Sequence, residues 1–439
     1  MQSVIKRIKS NQMTMNYIWV FLGQNIGSCF SMLTLIFTLR VISTFDYGSL
    51  VIIQTYCGLI SNIFCLRTFN GVIKYSTEAE SFGNTNLVKK YLNTGFVLDL
   101  LTGIIAFVFG FILLRPVTIL MGWDPQTVRF INFYMPTMLF NPVLNGTAVG
   151  ILRQQGYFKH VNIIHAIVYG LQTFILLATW ITKVGSLQVV ALEYAFTEII
   201  ESVVLMIFAV YILQRTEKYR NFWKSGMTLE SKFLKYNLSF GLLLTFDQIL
   251  GNVSTLLINK YVGNFATAYL KVITRICSII TKITNPIGQI FYPELCKWIT
   301  ERKYKKALKV SIRYLYAILA LGGVLTFVLF STYSWWIVIF DATMVTAKYQ
   351  SMLYFIYTML SVAIICIQQM SLALDMMKAN LVIVAIADLS YLGLIVPCIL
   401  KFGVYGYLML QILQLIVVFF SKYIYINHEI STLEKNNDA

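Results

Sequence analysis

The sequence predicts an all-α polytopic membrane protein with twelve transmembrane helices in two six-helix bundles, and three observations carry that class. Of 439 residues, 58% are hydrophobic and 12% charged, about half the charged share of a soluble domain, and mean hydropathy is +0.70. The apolar residues fall in runs long enough to cross a bilayer at about 20 residues per helix. The basic residues crowd one set of alternate loops, as they do on the inner side of membrane proteins.

The spans fall near 17–39, 49–66, 92–114, 128–151, 159–181, 187–213, 236–259, 266–292, 311–334, 350–374, 380–400 and 404–427. Each is a helix, because a lipid-facing backbone must satisfy its own hydrogen bonds. Lys6, Arg7 and Lys9 precede the run from Tyr17 to Leu39. That run is too long for a signal-peptide core and has no small-residue cleavage site after it, so it is expected to stay as the first span. With the N-terminus inside, the outer loops receive only Arg40, Arg115, Arg129, Lys183, Lys260, Lys348 and Lys401. Both termini are then cytoplasmic. The net charge of +16 is topological and attracts anionic lipid; it does not mark a nucleic-acid binder. The seven cysteines lie in or at the ends of apolar runs without metal spacing and read as small buried residues.

The basic loop 214–235 separates two halves of six spans each, 1–213 and 236–439. The halves look alike. Arg40-Val-Ile-Ser-Thr-Phe after the first span matches Lys260-Tyr-Val-Gly-Asn-Phe after the seventh. Gly71-Val-Ile-Lys-Tyr75 then lies over Gly288-Gln-Ile-Phe-Tyr292, and Lys89-Lys90 over Lys305-Lys306. An even number of spans per half makes the repeat parallel, about an axis along the membrane normal, and places substrate between the halves.

The eighth span holds Lys271, Arg275 and Lys282 at helical spacing, with Ser278 on the same face. Each cation would cost about 2.5–3.5 kcal/mol against lipid, so the row faces water or partner anions. Two readings follow: the row holds an anionic cargo, or it neutralises the intramembrane carboxylates Asp247, Glu193, Glu198 and Glu201. Those carboxylates are in turn candidates for ion coupling, since neighbouring acids such as Glu198 and Glu201 hold a proton or a cation. Arg67 and Lys74 flank the end of the second span, either guiding an anionic headgroup or anchoring the span end. Arg40 and Lys260 are expected at the outer interface, with a gate as the alternative. Pro286 is expected to kink the cation-bearing span.

Several short motifs together resemble one family. They are Asn16-Tyr-Ile-Trp before the first span, Arg40 with Tyr47-Gly48, Arg67-Thr-Phe-Asn-Gly-Val-Ile-Lys-Tyr75, Lys260-Tyr-Val-Gly-Asn-Phe, Pro286 and Tyr292-Pro-Glu-Leu295. The chain resembles the polysaccharide translocases, or O-antigen flippases, of the multidrug/oligosaccharidyl-lipid/polysaccharide exporter superfamily. It departs from them in having Ser43-Thr-Phe-Asp46 where Leu-Gly is usual. The resemblance implies alternating access through a cationic central cavity in the bacterial inner membrane. The implied cargo is a polyprenyl-diphosphate-linked oligosaccharide for O-antigen, capsule or exopolysaccharide. The protein is expected to act as a monomer without a cofactor, with Na+ or H+ as the candidate coupling ions at the intramembrane carboxylates and polysaccharide polymerase and assembly proteins as candidate partners. Arg suits a diphosphate through its bidentate fork and Lys as a mobile point charge. A multidrug extruder of the same superfamily is the alternative, although the first span lacks the carboxylate that a cationic drug would want. A polysaccharide polymerase or ligase would need a large outer loop, and the outer loops here are short.

Overall fold

Helix follows helix through the computed structural model, which describes residues 12–438 apart from Asn145 and Leu229; side chains are described outside 12–24, 240, 242–247, 282–294, 377 and 435–438. The helices are α1 Gln12–Val41, α2 Thr44–Phe64, α3 Phe69–Ser81, α4 Thr85–Met121, α5 Pro125–Tyr134, α6 Thr137–Leu144, α7 Thr147–Gln154, α8 Phe158–Thr182 and α9 Leu187–Arg215. A 3-10 turn at Phe222–Ser225 follows, then α10 Ser231–Val262, α11 Asn264–Thr300, α12 Tyr304–Ser331, α13 Tyr333–Trp336, α14 Lys348–Ala373 and α15 Met377–Asp438. The chain makes two compact units, 1–260 and 261–439.

Seven helical segments among the described residues are long and apolar enough to cross a bilayer, with Asn25–Val41 a shorter apolar one. The protein is therefore multi-pass. The last two expected spans are two helices within α15 that meet at a kink at Gly403, where φ is 59° and ψ −137°, values open to glycine and closed to most residues. The expected span 128–151 is three short helices instead. Pro136 lies between α5 and α6 and Pro142 inside α6, and each removes a backbone donor and crowds the preceding turn. The side chains of α10 and α11 are described only in part.

In the first unit, α4 is the central element. Asn84 caps its start, accepting from Leu87 N at 3.0 Å, and Gly122 ends it in the left-handed region at φ 72°. Its 37 residues extend roughly 55 Å, well beyond the ~30 Å hydrocarbon core. One face is outward and apolar, with Leu100, Phe111, Ile112 and Ile119 exposed, as a lipid-facing surface should be. The opposite face is cut back to glycine. A Cβ on Gly103 would stand 2.6 Å from the Leu139 carbonyl oxygen of α6, and the Gly110 carbonyl accepts from Tyr56 Oη of α2 at 2.5 Å. Close approach of helices through small residues is how membrane bundles gain packing, since lipid offers no hydrophobic drive between them.

Two apolar clusters fill this unit, one around Val72, Leu92, Ile151 and Leu205 and another around Tyr56, Ile131 and Met138. The segment after α9 joins the first. Phe222 is fully buried, with its ring 5.4 Å from Phe96, and Tyr91 donates to Glu230 at 2.5 Å. In the second unit Leu315, Ile367, Met370 and Ile426 tie α12, α14 and α15 together.

Candidate functional site

The cation row lies on α11. Lys271 is half-buried and Arg275 exposed, one turn apart, with Ser278 donating to the Arg275 carbonyl at 2.7 Å. Arg275 is close enough to act on the charge of Lys271. Among the described residues no carboxylate reaches ion-pair distance of either cation. The Lys282 and Asp247 side chains, and that of Pro286, lie outside the described residues, and α11 runs on as helix through Pro286.

Next to the cations α11 presents hydroxyls to its own unit. Thr274 donates to the Leu270 carbonyl at 2.7 Å and bonds Tyr354 of α14. Tyr354 and Tyr357 stand with centroids 5.6 Å apart, and Tyr407 of α15 is in electrostatic reach of both and of Tyr391. Sequence alone could not choose among 27 tyrosines; here Tyr354 and its neighbour Tyr357 stand beside the cation-bearing helix, with Tyr391 and Tyr407 buried behind them. Tyrosine offers a flat apolar face and a hydroxyl, the combination that a sugar ring fits.

In the first unit Arg67 lies just past the end of α2. The helix from Thr44 breaks at 65–68, and Arg67 adopts φ 48° at the break before α3 restarts. The residue is 7% exposed, with Nη2 donating to Gln248 Oε1 of α10 at 2.5 Å and Nε without a partner. Arg67 is thus a buried cation between two helices. Lys74, by contrast, is exposed, with its ammonium 4.5 Å from the Tyr236 ring centre and 5.5 Å from that of Tyr75. Arg40 and Lys260 are exposed in the last turns of α1 and α10, where a cation suits the helix dipole. Lys422 is 3% exposed inside α15 and donates to Gln368 Oε1.

Beside Arg67, Thr68 donates from Oγ1 to Asp99 Oδ1 of α4 at 2.6 Å. The other carboxylate oxygen accepts from the Thr147 N–H at the start of α7, 2.7 Å away. The two threonine hydroxyls are 3.1 Å apart, and Asp99, Thr68 and Thr147 are all buried. Polar groups in such a place are stable only when bonded.

The three acids of α9 also have partners, none of them lysine. Glu193 accepts from Thr179, Glu198 accepts from Tyr134 Oη at 2.6 Å, and Glu201 is in contact with His165 Nδ1. Glu198 is further bonded by Asn141. A carboxylate touching an imidazole can exchange a proton with it, which suits the ion-coupling candidacy of Glu201. His165 had no role in the sequence reading. Its only signal there is a polar residue in mid-span, like Glu201.

Comparison with known proteins agrees with the fold. The family model described as "Polysaccharide biosynthesis protein" matches residues 13–299. Inner membrane protein YghQ of Escherichia coli (strain K12) is 22% identical over 286 residues, covering 64% of this chain and 79% of its own. An inward-facing multidrug resistance MATE transporter of the MOP superfamily superposes with a TM-score of 0.66 at 14% identity, over 92% of this chain and 96% of its own. A MOP superfamily transporter from Pyrococcus furiosus, for which reversed polarity of the binding pocket suggests a different function, gives 0.50 at 16% identity over 94% of both chains. At these identities the likeness is one of fold, an all-α multi-pass fold otherwise found in transporters.

Proposed function

The chain belongs to the polysaccharide biosynthesis protein family, and from that premise we propose that it moves a polyprenyl-diphosphate-linked oligosaccharide from the cytoplasmic to the outer leaflet by alternating access, with both termini cytoplasmic. One observation carries the choice of an anionic cargo. Lys271 and Arg275 stand one turn apart on an apolar helix with no carboxylate at ion-pair distance among the described residues. Cations on a membrane-crossing helix are costly unless water or an anion meets them, and a diphosphate supplies such an anion, with oxygens that Arg grips bidentately. Arg67 adds a buried cation in the other unit, and the partly exposed Tyr354 and Tyr357 near Thr274 offer faces to the sugars. The product would feed O-antigen, capsule or exopolysaccharide synthesis.

A second reading has the solved structures on its side. Those sharing the fold include multidrug resistance MATE transporters, and the acids Glu193, Glu198 and Glu201 would serve a cation-coupled extruder. The Pyrococcus furiosus transporter, described by a pocket of reversed polarity, supports the view that this fold is not tied to one cargo charge. The test is outer-leaflet appearance of a lipid-diphosphate oligosaccharide in vesicles, wild type against Arg275→Ala at matched protein levels. We expect transfer by wild type and a loss of about tenfold or more in the variant, the worth of a charge-assisted bond. Equal transfer by both proteins would remove the row from cargo handling. Extrusion of a cationic drug with no lipid transfer would establish the second reading.

A further inference from the structure

The polar knot at Asp99 has no part in the ion-coupling candidates of α9 and stands apart from the cation row of α11. It lies where two helices are interrupted. One break, 65–68, separates α2 from α3; the other, at Gly146, separates α6 from α7. Neither restart is capped by its own side chain: Thr68 makes no cap bond to α3, and Gly146 has no side chain to offer α7. Asp99 serves both from a third helix. Its Oδ1 accepts from Thr68 and its Oδ2 from the Thr147 N–H, at 2.6 and 2.7 Å. It is about 21 Å along α4 from Thr85 at 1.5 Å per residue, inside the span, where an unmet backbone donor costs most.

The surrounding backbone is shaped for this contact. A Cβ on Gly146 would strike Asp99 Oδ2, and one on Gly95, a turn before Asp99, would strike Thr147 Oγ1 and stand 2.9 Å from Val72 Cγ2. A Cβ on Gly150 would stand 2.9 Å from the Phe69 backbone. Thus α3, α4 and α7 meet with almost nothing between them, and the carboxylate is what joins them. The residue directly before Thr68 is Arg67, held in the left-handed region at φ 48°, a conformation that costs a non-glycine residue of order 1–3 kcal/mol unless its surroundings impose it.

We infer that Asp99 is a positioning residue for Arg67: by clasping Thr68 and the start of α7, its carboxylate fixes the helix break that aims the buried guanidinium. The inference rests on the reading of Arg67 as a cation that handles the anionic cargo. Asp99 itself touches no cargo. The conservative variant Asp99→Asn can keep the clasp, with its amide oxygen accepting from the Thr147 N–H and its amide nitrogen donating to Thr68 Oγ1. Asp99→Ala cannot.

Two readouts test this on the full-length protein. The first is backbone hydrogen exchange over 65–70 and 147–150. Asp99→Ala should speed exchange in both segments tenfold or more, with Asp99→Asn close to wild type. Unchanged exchange in Asp99→Ala would overturn the inference whatever transport shows. The second is a double-mutant cycle in vesicle transfer of the lipid-diphosphate oligosaccharide. Asp99→Ala should lower transfer in the wild-type background and have no further effect when Arg67 is already Ala. Losses that multiply independently would mean that Asp99 acts on stability alone and would also overturn it. If exchange rises as expected while neither Arg67→Ala nor Asp99→Ala alters transfer, the clasp stands and the cargo role of Arg67 falls.

Discussion

At Arg275 the chemistry of the head group matters as much as its charge. A guanidinium presents two parallel donors to a phosphate, whereas an ammonium presents a point charge. Arg275→Lys should therefore keep part of the lipid transfer, Arg275→Ala very little and Arg275→Glu none, ranked by initial rates in the same vesicles. Lysine equal to arginine would mean that charge alone is read there. The contact of His165 with Glu201 gives a different kind of prediction. Glu201 is buried, so His165→Ala leaves its carboxylate without that partner at a cost of roughly 1–3 kcal/mol. A lowered melting temperature in detergent would register it, and an unshifted one would mean that other groups serve Glu201. Lys271 and Arg275 were legible in the sequence because cations in an apolar run stand out. Asp99 was visible but mute: its meaning depends on Thr68 and Thr147, distant in sequence and indistinguishable there from any other threonines. The burial of Arg67 was not legible for the same reason, since a cation after an apolar run looks like an anchor until the contacts around it are seen.

Helices here are set by caps and prolines where the sequence is punctuated, and by tertiary contacts where it is not. The start of α5 belongs to the first kind. Asp124 accepts from Thr127 N at 2.8 Å and from Thr127 Oγ1 at 2.7 Å. Partial burial pushes its carboxyl upward, but the bonds from Thr127 outweigh this and hold it below its ordinary value. The cap therefore contributes fully above the unfolded carboxylate pKa near ~3.9, and the contribution is lost as pH falls through the lower folded value. Asp124→Ala should cost about 1 kcal/mol at neutral pH. The gap to wild type in a melting series should close in acid; a gap constant with pH would deny the cap. Packing gives a companion prediction. Gly103→Ala puts a methyl 2.6 Å from the Leu139 carbonyl oxygen, and overpacking of this sort costs about 1–3 kcal/mol, again measurable by melting. The division of 128–151 into three helices follows from Pro136 and Pro142, which a hydropathy window averages away. The break at 65–68 is of the second kind. Cys65-Leu-Arg-Thr68 contains neither Gly nor Pro, and what imposes the break is the clasp from α4.

For the whole molecule, composition and hydropathy were enough to give an all-α multi-pass protein, and scattered motifs were enough to give the family. The halves are alike locally: α1 passes to α2 after Arg40 as α10 passes to α11 after Lys260. They part further on, where the first unit interrupts its helix at 65–68 and α11 continues unbroken for 37 residues. The local likeness ends there, with the buried cation of the first unit at a break and the exposed cation of the second on a continuous helix. Cargo charge is the central claim, and it is tested most directly by offering one preparation of wild-type vesicles both cargoes, a polyprenyl-diphosphate oligosaccharide and a lipophilic cationic dye. The account predicts transfer of the diphosphate lipid, inhibited by excess free polyprenyl diphosphate, and no extrusion of the dye under any Na+ or H+ gradient. Dye extrusion that a gradient drives, without movement of the lipid, would contradict it.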